Sequence, residues 1–391
     1  VQEAAKLHPL EKRLDQQGKA LGWRSPEQTM TTGPNRSRKH AGAQNRNVTI
    51  KDLAAELNVS ITTISRALNG YTDVGEKTRK KVIDAARRLG YTPNRNAQRL
   101  VTRRSHSIAW VQADDDNKFV DPHFVEVMAG VLREARIDHY DIVMTSETPE
   151  RQLAAYERYV RDGSVDGFIV DLPRPNDPRI NFLLEADVPF VVHGREDRQD
   201  RYGWVDVDNY GNFYNLTKLI LANGHKRIAF INGDERFLYA TTRRQAVYDA
   251  LRDLGHPPET VMYLEGTHPM VEAGFQLTEL ALADPSITAF LYSSILLATE
   301  GLTAVSRAGR VPGQDVMIAS MNDELQYLNL APVDGQITYV RSSLRTAGRA
   351  LVAEVIRQCE RKKTSGTLIP SLFDLGEGVS GDAIAGSVHF A

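Results

Sequence analysis

Cysteine is almost absent from this chain. Cys359 stands alone among 391 residues, so no internal disulfide can form. Long hydrophobic runs are missing too: no stretch approaches the eighteen or so unbroken apolar residues a membrane helix needs. No apolar segment near the start has the form of a secretory signal. Together these absences read as a protein of the reducing cytoplasm, without a membrane partner. The ten histidines show no H-x-x-x-H or cysteine-paired spacing, which argues against zinc. Neither a P-loop nor a G-x-S-x-G elbow is present. Gly376 to Gly381 formally matches G-x-G-x-x-G, but the ten residues beyond it leave no room for the helix and strand of a dinucleotide site. Asp114-Asp115-Asp116 reads as a solvated acidic loop rather than a cation site. No cofactor and no catalysis are expected.

What is present is a strong asymmetry of charge. The net charge of −2 conceals +5 on residues 1–47, +7 on residues 48–104 and −14 on residues 105–391. A basic front on an acidic body suits a polyanion-binding head attached to a separate sensor. The length exceeds what one hydrophobic core usually organises, so two or more domains are expected. Residues 1–47 are polar, lack aliphatic clusters after Leu21, contain no methionine before Met30 and end in a Gly/Asn/Arg/Ser-rich run. They read as a disordered basic extension.

From Val48 the pattern turns helical. Thr49 and Asp52 form a T-x-x-D capping box, and Ile50, Leu53, Ala54 and Leu57 recur at helix spacing. Asn58-Val59 makes a tight turn, Ser60 caps a second helix with the stripe Ile64, Ala67 and Leu68, and a third helix runs from about Glu76 to Leu89, stopped by Gly90. Three helices in about forty residues, two of them across a short turn, predict a helix-turn-helix headpiece. A different rhythm begins at Ile108. Strands are predicted at 108–111, 141–144, 168–170, 190–192, 228–231, 289–292 and 316–319, with helices at 125–136, 152–161, 210–223, 242–254 and 296–308. Such alternation predicts α/β architecture, with doubly wound parallel sheets in two lobes and a cleft between them.

The stretch Val48 to Leu100 resembles the DNA-binding headpiece of the lactose-repressor (LacI/GalR) family. The matching residues are Val48 to Ala54, Val59-Ser60, Thr63 to Gly70, Lys77-Thr78-Arg79, Leu89-Gly90-Tyr91 and Pro93-Asn94. Looser matches follow at Val205 to Asn209, Gly224 to Ile228 and Gly313 to Val316. The resemblance implies a headpiece at 48–93, a hinge helix at 94–104, and a periplasmic-binding-protein-like core at 105–391 that binds an effector and dimerises. The implied partners are a pseudo-palindromic double-stranded operator, a small-molecule effector with a sugar as the favourite, and a second copy of the chain, a tetramer being the alternative assembly.

The physics of the headpiece fits. A helix starting at Ser60 and entering the major groove by its N-terminus brings Ile61, Thr62 and Arg66 to base edges, while Ser60, Thr63 and backbone amides can hold phosphates. Arg66 can pair bidentately with guanine, a contact worth about 1–3 kcal/mol of discrimination; the alternative is a phosphate contact or a solvated side chain. The resemblance adds Thr49, Ser65, Asn69 and Asn94 to the DNA-binding set. It also makes Leu100 the hinge leucine that wedges into the minor groove, with Ala97 at the contact of paired hinge helices. A plain linker is the alternative at 94–104, because so short a helix is marginal alone.

In an α/β cleft, ligands bind beyond the carboxyl ends of strands. By resemblance the effector contacts are Asp121 and Phe124 in the loop after the first strand, Arg195 after the fourth, Arg243, and Asn322. The run Ser320-Met321-Asn322-Asp323 stands where the family usually carries Gly-aromatic-Asp-Asp, and Ser293-Ser294 where many members have Asn-Asp. Each of these residues has a structural polar role as its alternative. Trp110, Trp204, Phe237 and Tyr239 are read either as core or as stacking surfaces for a sugar. Two rivals remain: a transport-type binding protein, disfavoured by the basic headpiece, and a sugar- or nucleotide-using enzyme, disfavoured by the missing catalytic constellation.

Overall fold

Thr49 opens the first helix as its local sequence dictates. Its hydroxyl accepts from the Asp52 amide while the Asp52 carboxylate accepts from the Thr49 amide, a reciprocal capping box around α1 (Ile50–Leu57). Asn58 closes α1 in the left-handed conformation, with φ at 51°. Ser60 then caps α2 (Ile61–Leu68), its Oγ accepting from the Thr63 amide at 3.0 Å. After the turn, α3 (Glu76–Leu89) stops at left-handed Gly90. Leu53, Ile64, Ala67, Val74, Val82, Ala85 and Ala86 form the small core these helices share. Arg79 donates to the carbonyls of Gly70, Tyr71 and Val74, fixing the loop between α2 and α3.

This computed structural model describes residues 48–68, 70–92, 104–114, 120–196, 201–266 and 273–391. The chain divides into two compact units, one ending at Thr92 and the other beginning at Pro93.

The second unit holds two six-stranded sheets. Its elements run β1 (Ser107–Ala113), α4 (Pro122–Ile137), β2 (Asp141–Glu147), α5 (Gln152–Asp162), β3 (Gly167–Asp171), α6 (Pro178–Glu185), β4 (Phe190–His193), β5 (Gly203–Val207), α7 (Asn209–Ala222), β6 (Ile228–Asn232), α8 (Leu238–Asp253), β7 (Val261–Glu265), α9 (Ala273–Leu282), β8 (Ala289–Tyr292), α10 (Ile295–Arg307), β9 (Met317–Asn322), β10 (Thr338–Arg341), α11 (Leu344–Cys359), β11 (Gly366–Ile369) and β12 (Leu372–Asp374). The first sheet has the order β11-β5-β4-β3-β1-β2 and the second β12-β10-β9-β8-β6-β7.

The chain therefore crosses between lobes three times: from β5 into α7, from β10 into α11, and directly from β11 to β12. Every pairing in both sheets is parallel except β10 with β12. That exception has a simple cause. A strand that leaves one sheet at its carboxyl end and continues straight across the cleft enters the other sheet at the carboxyl ends of its neighbours, hence antiparallel to them.

The predicted strands and helices all appear, most with shifted ends, while the strand at Ala289–Tyr292 and the helix at Glu76–Leu89 keep the ends expected. The strand expected to end at Ala319 begins at Met317 and runs on to Asn322, and the helix expected from Thr242 begins at Leu238. Its cap, Phe237, makes no side-chain hydrogen bond, so the usual start signal is missing. Helices α4 and α11 pack closely along the first lobe. A Cβ on Gly348 would fall 2.2 Å from the Val127 carbonyl oxygen, and one on Gly130 2.1 Å from that of Arg345. Buried Glu126 fastens the pair by accepting from Arg345 at 2.9 Å.

Candidate nucleic-acid interface and effector cleft

In the headpiece unit the capping chemistry turns α2 so that Ile64 and Ala67 face the core while Ile61, Thr62 and Arg66 are exposed. Ile61 is 44% exposed, an apolar side chain left in water at the start of the helix. Ser60, Thr49, Thr63 and Ser65 lie along the same short segments, Ser60 and Thr49 engaged as caps. Arg66 is in the last turn of α2, and its guanidinium is held by Asp73, Nε to Oδ1 at 3.1 Å and Nη2 to Oδ2 at 2.5 Å, and stacked 4.9 Å from the Tyr71 ring centroid. Asn69, Asn94, Ala97 and Leu100, with the N-terminal extension and all of the hinge helix except Arg104, fall outside the described residues.

In the other unit, the carboxyl ends of the strands and the starts of several helices surround a cavity of about 290 Å³. From the first lobe it is lined by Trp110, Asp121, His123, Phe124, Asp171 and Arg195; from the second by Asn232, Asp234, Phe237, Tyr239, Arg243 and Asp323, among others. Buried Phe124 packs against Trp110 with ring centroids 5.1 Å apart, and Phe237 stacks on Tyr239 at 6.4 Å. Trp204 does not line the cavity; it lies under the Arg195 guanidinium, 5.1 Å away.

Arg195 is paired with carboxylates, whereas Arg243 is held by neutral groups. Arg195 meets Asp206 at 3.1 Å and Asp208 at 3.8 Å. Burial pushes the Asp206 carboxyl up to about 6 even though Arg195 opposes the shift. Arg243 is buried, donating to Asn209 Oδ1 at 2.8 Å and to the Ser293 carbonyl at 2.7 Å between the Phe213 and Tyr239 rings. Burial lowers its pKa, Asp323 raises it, and the guanidinium stays charged.

His123 joins the lobes. Nδ1 is 2.9 Å from Asp121 Oδ1, while Nε2 is 3.1 Å from Ser294 Oγ and 3.3 Å from Asp323 Oδ2 on the opposite side. Burial alone would lower its pKa, but the hydrogen bonds and charges of Asp121 and Asp323 raise it to about 10. It is therefore an imidazolium at neutral pH, donating from both nitrogens.

The family model described as periplasmic binding proteins and sugar binding domain of LacI family matches residues 105–375, and that for bacterial regulatory proteins of the lacI family matches residues 49–94. The chain belongs to the LacI family. The HTH-type transcriptional regulator AglR of Rhizobium meliloti is 38% identical over 311 residues, covering 79% of this chain and 87% of the relative. RafR of Escherichia coli is 28% identical, covering 80% and 91%. Among solved structures, the lac repressor dimer bound to operator and the anti-inducer ONPF has a TM-score of 0.71 at 21% identity, covering 86% of this chain and all of that one. The CelR–cellobiose complex has a TM-score of 0.61 at 23% identity, covering 85% and 100%. These last two share the fold. As a LacI-family member with such relatives, the chain is a DNA-binding transcriptional regulator and not an enzyme. No described helix is long and apolar enough to cross a membrane.

The LacI-type cleft gathers four of the five effector residues expected from sequence: Asp121, Phe124, Arg195 and Arg243. Asn322 does not line it. It ends β9 with its Oδ1 accepting from the Glu324 amide at 3.0 Å, and its neighbour Asp323 faces the cavity instead. Asp121 caps α4 as well as holding His123. Sequence reasoning did not assign roles to His123, Asn232, Asp234 or Asp323. Asn232 and Asp234 follow directly from the rule of strand ends, because Asn232 is the last residue of β6.

Proposed function

We propose that this LacI-family regulator is a cytoplasmic repressor. In this reading a dimer grips a pseudo-palindromic operator with its headpieces, and a sugar bound in the cleft of each core alters that grip. Residues 48–93 act as the DNA-reading head, 94–104 as the hinge and 105–391 as the effector-binding and dimerising core. Ile61, Thr62 and Arg66 read bases, with Thr49, Ser60, Thr63, Ser65, Asn69 and Asn94 supporting them. Leu100 and Ala97 act in the minor groove. Asp121, Phe124, Arg195 and Arg243 hold the effector, joined by Asp323 in place of Asn322.

The observation that carries this reading is the two-lobed cleft, with aromatic faces and paired polar groups drawn from both lobes. Planar rings beside fixed hydrogen-bonding groups suit a pyranose, which offers an apolar face and a rim of hydroxyls. The cellobiose complex of CelR supports a carbohydrate as ligand class. Closing the lobes on a ligand shifts the population of core conformations, and coupling of about 1–3 kcal/mol to the DNA-bound state suffices for regulation.

The test is a thermal-shift screen of mono- and disaccharides followed by operator binding with each hit. A sugar that raises Tm and changes operator affinity at least about fivefold is expected. Operator affinity unchanged by every sugar that binds would overturn the proposal.

A further inference from the structure

Taking the chain as a regulator whose cleft controls its grip on DNA, we infer that Arg104 is the positioning residue that ties the headpiece linker to the cleft, acting through α11. Both ends of that helix are placed for this. At its start the chain crosses from the second lobe to the first. There the Ser342 amide donates to the Asn322 carbonyl at 3.0 Å and the Leu344 amide to that of Asp323 at 3.5 Å, so the first turn is held to the end of β9. Leu344 itself lines the cavity. Arg345, next in the turn, donates to buried Glu126 of α4, whose other oxygen accepts from the Gln326 amide of the second lobe at 3.0 Å.

Between its ends α11 is a stiff rod. Its 16 residues span about 24 Å. At Gly348 it meets α4 backbone against backbone, Leu351, Val352 and Val355 are fully buried, and a Cβ on Gly167 of β3 would fall 2.7 Å from the Val355 side chain. Interiors packed this closely pass a displacement on rather than absorb it.

At the far end, the last turn leaves carbonyls with no partner in the helix. Arg104 meets that of Cys359, donating from Nη2 at 2.6 Å, which sets a guanidinium from 255 positions away at the negative end of α11. Ser105 and His106 are fixed beside it. The Asp166 carboxylate accepts from the Ser105 amide at 2.6 Å, the Ser105 hydroxyl at 2.8 Å and the His106 amide at 2.9 Å, while the Asp166 carbonyl accepts from the Cys359 thiol at 3.3 Å.

The strand β1 offers a second route, since it starts at Ser107 and its Trp110 lines the cavity. It belongs wholly to the first sheet, paired with β2 and β3, and turns with that lobe. Of the two, α11 is fastened to the second lobe at one end and to the linker at the other, so rotation of one lobe against the other reaches the linker through Arg104.

The experiment is hydrogen exchange, read by mass spectrometry, of the full chain alone and saturated with a duplex that the wild type has enriched from a random library. Coupling between sites is reciprocal, so in the wild type the amides of residues 342–348 should change their exchange about fivefold on binding DNA. Arg104→Ala should bind the duplex yet show no change there. Arg104→Lys, whose ammonium can still donate to the Cys359 carbonyl, should keep part of it. Arg357→Ala, which removes an ion pair with Glu354 near the same end of α11, should respond as the wild type does. A response kept in full by Arg104→Ala, absent from the wild type, or lost equally in Arg357→Ala overturns the inference and leaves the sugar-sensor reading standing. Enrichment of no duplex overturns the operator-binding reading and the inference with it.

Discussion

Replacing His123 by glutamine removes a positive charge that spans the cleft while keeping a side chain able to hydrogen-bond. In the folded protein Asp121, Asp323 and Ser294 surround the imidazole, with Arg243 and Tyr239 on the adjoining wall. The pKa of His123 rises from 6.5 to about 10 on folding. A group whose pKa is raised in the native state binds its proton more tightly there, so its stabilisation is complete below the unfolded value and is lost as pH climbs through the folded value. Between about pH 6 and about pH 9 the wild type should therefore lose on the order of 3 kcal/mol that the variant never had. The assay is urea unfolding of the two proteins at both pH values, followed by tryptophan fluorescence. The quantity of interest is the change in their stability difference, so that other titrating groups cancel. Their free energies should differ most at the lower pH and converge at the higher. A stability difference independent of pH would show that His123 is not a charged bridge between the lobes. Because the bridge holds the lobes together, the variant should also bind effector more weakly than the wild type at neutral pH.

Arg66→Ala should reduce preference for operator over random duplex by about 1–3 kcal/mol, roughly tenfold or more, and leave effector binding unchanged; competition anisotropy measures this, and undiminished discrimination would remove Arg66 from base readout. If Arg66 instead touches only phosphate, the mutation should weaken all duplexes alike and lower the salt slope by about one. Gly348→Ala should destabilise the core by about 3 kcal/mol, seen as a lower Tm, because the new methyl meets a backbone carbonyl of α4 that cannot step aside; an unchanged Tm would mean that the α4–α11 contact is not tight.

Much of this protein was legible from its residues because the decisive signals are local. The Thr49–Asp52 capping box, the Ser60 cap and the Gly90 stop act within four residues of chain, where hydrogen bonds form with little loss of entropy, and they defined the headpiece helices. Alternating apolar runs and helical stripes likewise revealed parallel α/β lobes, because strands covered on both faces must be apolar throughout. Tertiary structure alone decided what depends on residues far apart in the chain. β11 and β12 are short runs with no distinctive pattern, placed by pairing with β5 and β10. α11 comes late in the chain yet packs on α4, through a contact that only two glycines allow. Nothing in the local sequence sets His123 apart; folding placed it against Ser294 and Asp323, 171 and 200 positions away. The choice of Asp323 over Asn322 at the cavity came from where β9 ends, because successive side chains leave a strand on opposite faces and a shift of one residue exchanges the one that faces the ligand.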